Sequence, residues 1–483
     1  MKKVYLLICL FSSMIFFEQC AKNPVTGKSQ LVLMSEEQEI AMGKEADPQI
    51  VAQFGLYPDK ELQAFITQKG KQLAAISHRP GLNYEFKILD SDVLNAFATP
   101  GGYVYFTRGI MANFNNEAQF AGVLGHEVGH ITARHSVAQQ RNAMLGQLGI
   151  LAGVIINPQL GQFAQTASQG LGLLFLKFGR DAERQADELG VEYSSKVGYD
   201  ANEMADFFTT LERKGQQSGA DQLPDFLSTH PNPGDRNAKV HQLANKYQRQ
   251  HNMKDPIVNR NTFLKRIEGL VYGEDPRQGY REGNAFYHPG LKFQFPVPAG
   301  WKYQNSPQAV QMAPPDGKAL LMLTLAQGND LQSAANAVLQ QNNLQLLDSK
   351  QVSVNGLNAI ALASTPKAVQ GQQQQDLRVL SYLIQYGGNI YHLLGVTPTS
   401  LYNQYGQYFL NTMQGFAQLT DQSKLNKKPD RIRLKTVNTN TTVENALKGF
   451  SVPSAKLEEH ALLNGMKLTD KISSGTMLKV IGS

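Results

Sequence analysis

The sequence predicts an α+β protein: a mostly helical N-terminal region with a small sheet, then a second α+β module and a small terminal module. Three observations carry this reading. Apolar residues recur at helical spacing over 34–78 and again over 116–214. Short alternating runs at 84–89 and 103–107 read as strands. From about residue 284 the pattern changes to strand-like runs interrupted by two helical ones.

Taken in chain order, residues 1–19 read as an export signal. Lys2 and Lys3 precede a nearly unbroken apolar run over 4–17, which is too short to span a bilayer. A single membrane anchor is the alternative. The chain has two cysteines, Cys9 and Cys20, and the first lies inside the signal. Cys20 then stands alone, which excludes an intramolecular disulfide and a cysteine-based zinc site. A lone cysteine after an export signal points to a lipid anchor at Cys20, although Phe17-Glu18-Gln19 departs from the small-residue pattern of lipoprotein signals. The expected location is the periplasm, with membrane attachment through Cys20.

Ser35 followed by Glu36, Glu37 and Glu39 opens a first helix. Residues 59–75 form a second, with Leu62, Phe65, Ile66 and Leu73 on one side. Thr99-Pro100-Gly101-Gly102 is a turn between strands. Residues 116–140 read as one long helix. Residues 141–178 are apolar and glycine-rich, stopped by Asn157-Pro158, and read either as a hydrophobic hairpin or lid or as a buried helical pair. Residues 181–196 and 201–214 are amphipathic helices.

The polar stretch 260–283 reads as a linker, which gives a first domain over 20–259. Residues 284–420 form an α+β accessory domain with strands at 293–298, 320–325, 379–386 and 390–396, and helices at 331–342 and 400–416. Residues 370–375 are a low-complexity glutamine loop. A second linker covers 421–431, and 432–483 is a terminal module. Hydrophobic content of 42% and charged content of 18% exclude a disordered chain. The net charge of +6 is spread without a dense basic patch, which excludes nucleic acid as a partner.

The chemistry lies in His126-Glu127-Val128-Gly129-His130. Residues four apart on a helix lie about 40° apart around its axis and one turn along it, so both imidazoles face one metal ion. Zinc takes neutral imidazole well and keeps an open position when three protein ligands hold it. Glu127 is placed to take a proton from water at such an ion, as a general base. Two surface histidines on a helix are the bland alternative. Gly125 and Gly129 lower helix stability, which makes sense where a strand or substrate approaches closely.

A third histidine ligand ten residues after His126 is excluded, because Ser136 stands there and His135 is off register. Asp181-Ala182-Glu183-Arg184-Gln185-Ala186-Asp187 instead offers Glu183 as a ligand and Asp187, four residues on, to orient a ligand histidine. Ala182 and Ala186 are small enough for this helix to lie against the first. An exposed charged helix is the other reading of this stretch. Thr229-His230-Pro231-Asn232-Pro233-Gly234-Asp235-Arg236 is a shaped loop that can carry His230 or Arg236 into the site, or form polar surface.

Together these residues resemble the metallopeptidase family that includes envelope quality-control proteases and the CAAX prenyl endopeptidases. Asn23-Pro24-Val25-Thr26-Gly27 and 95–102 are similar to its exported branch, the periplasmic protease–chaperones that monitor outer-membrane protein assembly. The resemblance covers about residues 20–245. It implies a gluzincin-type fold with one zinc per subunit held by His126, His130 and Glu183. It implies that Ala96, Phe97 and Ala98 lie near an edge strand that binds substrate by β-augmentation, that His230 can cap the metal, and that Arg236 assists catalysis. The implied substrates are unfolded or misassembled envelope proteins, and the implied partner is the outer-membrane assembly machinery. A largely latent chaperone or scaffold is the alternative. Residues 432–483 are similar to a LysM module, with Asn464-Gly465 in a loop, which implies peptidoglycan as a further partner.

Overall fold

The structure is a computed structural model that describes residues 20–27, 29–31, 34–137, 150–151, 154–155, 160, 178–217, 225–230, 235–368 and 376–482. The export signal, nearly all of the apolar stretch 141–178, the glutamine loop 370–375 and Pro231 to Gly234 lie outside these residues. No helix among the described residues is long and apolar enough to cross a membrane.

Helix α1 (Glu36–Phe54) starts where the sequence places it. Ser35 accepts from Gln38 N, and Gln38 returns the bond to Ser35 N, a capping box. Helix α2 (Lys60–Ala75) is capped by Asp59 and buries Leu62, Phe65, Ile66 and Leu73. A three-stranded sheet follows: β1 (Glu85–Leu89), β2 (Ala96–Thr99) and β3 (Tyr103–Thr107), in the order β1-β3-β2. β1 runs parallel to β3, and β2 pairs antiparallel with it at one edge. The turn between β2 and β3 needs its glycines. Gly101 and Gly102 have φ of 81° and 104°, and a Cβ on Gly101 would lie 2.8 Å from Glu39 O.

Helix α3 (Arg108–Asn113) leads into α4 (Glu117–Thr132), which carries the HExxH residues and is buried along its whole length. Asn116 caps α4 by accepting from Gln119 N. The long helix expected over 116–140 ends at Thr132. Arg134 adopts φ 58°, and its side chain donates to Glu39 Oε2 and Met34 O, 2.9 Å each. The break therefore depends on residues far away in sequence.

Helices α5 (Arg180–Lys196) and α6 (Asn202–Gln217) pack on α4, α8 (Arg236–Gln250) packs on both of them, and the short α7 (Asp225–Thr229) lies between α6 and α8 in sequence. A Cβ on Gly125 would lie 3.1 Å from Gly190 O, and one on Gly129 would lie 3.0 Å from Leu189 Cβ. What approaches these glycines is therefore helix α5, rather than a strand or substrate.

Residues 260–283 differ from a linker. They hold α9 (Arg260–Arg266), and Phe263, Leu264, Ile267, Leu270 and Val271 enter the same apolar core as α2 and α4. Their helical spacing is masked in the sequence by the charged residues between them. The accessory region forms a seven-stranded antiparallel sheet with helices Leu331–Gln341 and Tyr402–Gln414 beside it. The long hairpin Leu344–Val354 and Leu357–Pro366 is an addition to the sequence reading. Its outer strand is mostly exposed and lacks apolar alternation.

In the terminal region Arg431–Thr436 pairs antiparallel with Met477–Gly482, with helices Val443–Gly449 and Leu457–Leu463 between them. This unit docks on the N-terminal half. Ile432 and Leu463 join its core, and Arg260 donates to both Asn115 O and Met477 O. At the contact, fully buried Lys479 donates to Ala112 O and Phe114 O, 2.8 Å each. Burial, with Arg260 and Lys214 nearby, holds its amine well below the usual lysine range. The unfolded chain therefore binds more protons here, and stability rises with pH until the free lysine also deprotonates near about 10.4. Chemical denaturation between about pH 7 and 9 should show this rise in the native chain and its loss in Lys479→Met. Equal slopes in both would place the pH dependence elsewhere.

Candidate active site

α4, α5 and the end of α7 bring four donor residues together. Side chains of His126, His130, Glu183 and His230 offer ligand atoms that all lie within 4.8 Å of one another, and all four residues are buried. His126 Nε2 stands 3.0 Å from His130 Nε2 and 3.3 Å from His230 Nδ1. Glu183 Oε1 lies 3.0 Å from His230 Nδ1 and 3.5 Å from His130 Nε2. His230 is held by the end of α7, where its N–H donates to Phe226 O at 2.8 Å and its ring stacks on Phe226 with centroids 4.5 Å apart.

Outer contacts fix the ligand rings. His126 Nδ1 lies 2.9 Å from Asp187 Oδ1. Arg236, the first residue of α8, forks onto Asp187 with Nε–Oδ2 of 2.8 Å and Nη2–Oδ1 of 2.7 Å. The same guanidinium reaches Glu183 Oε2 at 3.3 Å and lies 4.1 Å over the Phe208 ring. His130 Nδ1 lies 3.0 Å from His135 Nδ1, and His135 Nε2 lies 2.9 Å from Gln185 Oε1.

The electrostatics separate the two glutamates. Burial pushes the Glu127 carboxyl above its ordinary range, and the attraction of His230 and His126 does not offset it. Burial also opposes the charged forms of Glu183 and Asp187. For Glu183 the charges of His230, Arg236 and His126 win, and for Asp187 those of Arg236 and His126, so both are held below the usual range. Burial lowers His130 well below the usual histidine value, helped by His126, His135 and His230. Burial opposes the charged form of His230 as well, but Glu183 and Glu127 raise it.

The arrangement fits a metal ion. With Nδ1 of His126 and of His130 engaged behind the rings, their Nε2 atoms converge. Four of the six donor spacings, at 3.0 to 3.5 Å, bracket the edge of about 3.3 Å expected for a tetrahedron around zinc. Both carboxylate oxygens of Glu127, and His230 Nε2, are buried without a hydrogen-bond partner among the described residues.

Of the residues singled out from sequence, His126, Glu127, His130, Glu183, Asp187, His230 and Arg236 thus meet at one place. Ala96, Phe97 and Ala98 form edge strand β2 and are buried. His135 and Gln185 were not singled out. A histidine five residues past the motif is the only sequence signal for them.

Residues 60–244 match the model of peptidase family M48. Over these residues the chain is similar to that family, and the match spans less than half of the chain. The beta-barrel assembly-enhancing protease of Escherichia coli is 30% identical over 238 residues, 48% of this chain and 48% of that one. Its Yersinia pestis counterpart is 30% identical over 234 residues, 46% and 47% of the two chains. A mitochondrial metalloendopeptidase of Arabidopsis thaliana is 31% identical over 217 residues, 44% and 42%. The chain spans about half the length of the curated relatives it matches. Among solved structures, PsbP of Synechocystis aligns with TM-score 0.23 at 13% identity, over 28% of this chain and 91% of that one. LpqN of Mycobacterium tuberculosis aligns with TM-score 0.20 at 14% identity, over 26% and 83%. Likeness at these scores carries no weight for fold or function. M48 peptidases use zinc, and the four donors brought together here suit that ion.

Arg236 is the one guanidinium among these donors, and its removal would leave Asp187 and Glu183 buried without their cation. Arg236→Leu should lower stability by about 3–5 kcal/mol in urea denaturation of the metal-free protein. A loss under about 1 kcal/mol would mean that the carboxylates find other compensation.

Proposed function

We propose that this chain is a zinc-dependent endopeptidase acting on unfolded or misassembled proteins of the cell envelope. The observation that supports it most is the buried four-donor cluster beside the carboxylate of Glu127, which accepts no hydrogen bond among the described residues. His126, His130 and Glu183 hold the ion, and His230 is a removable fourth donor. Zinc bound there supplies Lewis-acid polarisation of the peptide carbonyl and the attacking water. Glu127 accepts the water proton on a carboxylate oxygen and passes it to the leaving amine. Burial raises its pKa, which favours that exchange. Arg236 acts through Asp187 and Glu183, keeping both carboxylates charged and aimed.

Strand β2 supports a protein substrate. It is one edge of its sheet among the described residues, with Ser136 Oγ donating to Ala98 O, and a peptide pairing with Ala96 to Ala98 in place of that contact would extend the sheet. The relatives' printed name, beta-barrel assembly-enhancing protease, supports a setting near outer-membrane assembly; periplasmic export and a lipid anchor at Cys20 rest on the sequence of residues 1–20 alone. Peptidoglycan contact through residues 432–483 is a weaker part of this reading. Asn464 is buried and bonded to His460 O and to the backbone of Lys479, and Gly465 faces Asn115 and Thr210.

One observation favours a largely latent form: four donors close the site, and a closed tetrahedral site is structural rather than catalytic. Casein hydrolysis tests both readings. Glu127→Gln should lose activity by about 10²–10⁴-fold while keeping one zinc per chain. His230→Ala should raise basal hydrolysis if His230 caps the ion. Near-normal turnover by Glu127→Gln would overturn the assignment of the base. A fall in activity for His230→Ala with zinc retained would make His230 a participant instead of a cap.

A further inference from the structure

We propose that His135 and Gln185 are positioning residues for the metal site, fixing both the ring of His130 and the nitrogen that carries its proton. The proposal rests on the reading of His130 as a zinc ligand. Its geometric basis is the break after α4. Along an unbroken helix a residue five positions on lies about 140° around the axis, facing away from His130. His135 reaches His130 because α4 ends at Thr132 and Arg134 turns the backbone with φ 58°. Such a left-handed conformation is unfavourable for a residue with a side chain. Here it is stabilised by the ion pair of Arg134 with Glu39, which is 1% exposed and is also gripped by Arg79.

The hydrogen-bond chain then has one consistent polarity. A neutral imidazole has a single N–H, and a nitrogen bound to metal cannot carry it. With Nε2 facing the other donors, the His130 proton is on Nδ1 and is donated to His135 Nδ1 at 3.0 Å. His135 must therefore hold its own proton on Nε2, which it donates to Gln185 Oε1 at 2.9 Å. A carbonyl oxygen only accepts, so the chain ends there. The opposite polarity would put the His130 proton on Nε2, among the donors, and remove it as a ligand. His126 has a charged acceptor behind it in Asp187, whereas His130 has a neutral relay. Gln185 lies two residues from Glu183 on α5, so one helix supplies a ligand, the acceptor for His126 and the end of the His130 relay.

The test is zinc affinity of the full chain, measured by competition with a chromophoric chelator, alongside urea denaturation of each metal-free protein. His135→Phe and Gln185→Leu should weaken zinc binding by about 10–100-fold with the metal-free denaturation midpoint unchanged. His135→Asn, whose amide oxygen can stand in for Nδ1, should recover most of the affinity. Affinities of His135→Phe and Gln185→Leu within about twofold of the native chain would overturn the proposal, as would an Asn variant no tighter than the Phe one. If His135→Phe fails to fold, the contrast between His135→Asn and Gln185→Leu decides in the same way. A native chain that binds no zinc would overturn the reading of the whole site, a result distinct from failure of the relay alone.

Discussion

Helices α4 and α5 touch backbone to backbone, and the site depends on that contact. A Cβ on Gly190 would lie 3.1 Å from both Gly122 O and His126 N, and Gly125 faces it from the other side. Ordinary side chains would hold the two axes 8–10 Å apart, a spacing typical of packed helices. Closer approach lets Glu183, a short side chain on α5, reach the same point as two imidazoles of α4. Each helical glycine costs about 0.5–1 kcal/mol relative to alanine, so the contact is maintained against local preference.

That geometry creates a second demand. Glu127, Glu183, Asp187, Arg236 and three imidazoles are all placed in the protein interior. Isolated buried charges are costly, and such groups persist only when paired and hydrogen-bonded. Arg236 meets the demand from α8 by forking onto Asp187 and reaching Glu183. Glu127 accepts no hydrogen bond among the described residues and has His230 Nε2 3.6 Å from its Oε1, and burial still raises its carboxyl, which suits it to exchange a proton. The terminal unit adds to the frame from outside. Lys479 satisfies carbonyls at the end of α3, directly before the cap of α4.

The HExxH pair and the Glu183–Asp187 pair were legible in the sequence because each depends only on helical spacing. Ser35 was legible as a cap for the same local reason. The end of α4 was not, because Arg134 is turned by Glu39, ninety-five positions earlier. With the break hidden, His135 appeared to face away from the site. The core residues of 260–283 were obscured by interleaved charge, and the outer strand 344–354 by its exposure. Long-range pairing and solvent-facing edges leave little trace in local pattern.

If zinc is held where α4 and α5 converge, anomalous diffraction at the zinc edge, from crystals of the full chain grown with zinc, should show a single strong peak about 2.0–2.2 Å from His126 Nε2, His130 Nε2 and a carboxylate oxygen of Glu183. A peak held by other residues, or none at this position under saturating zinc, would contradict that placement.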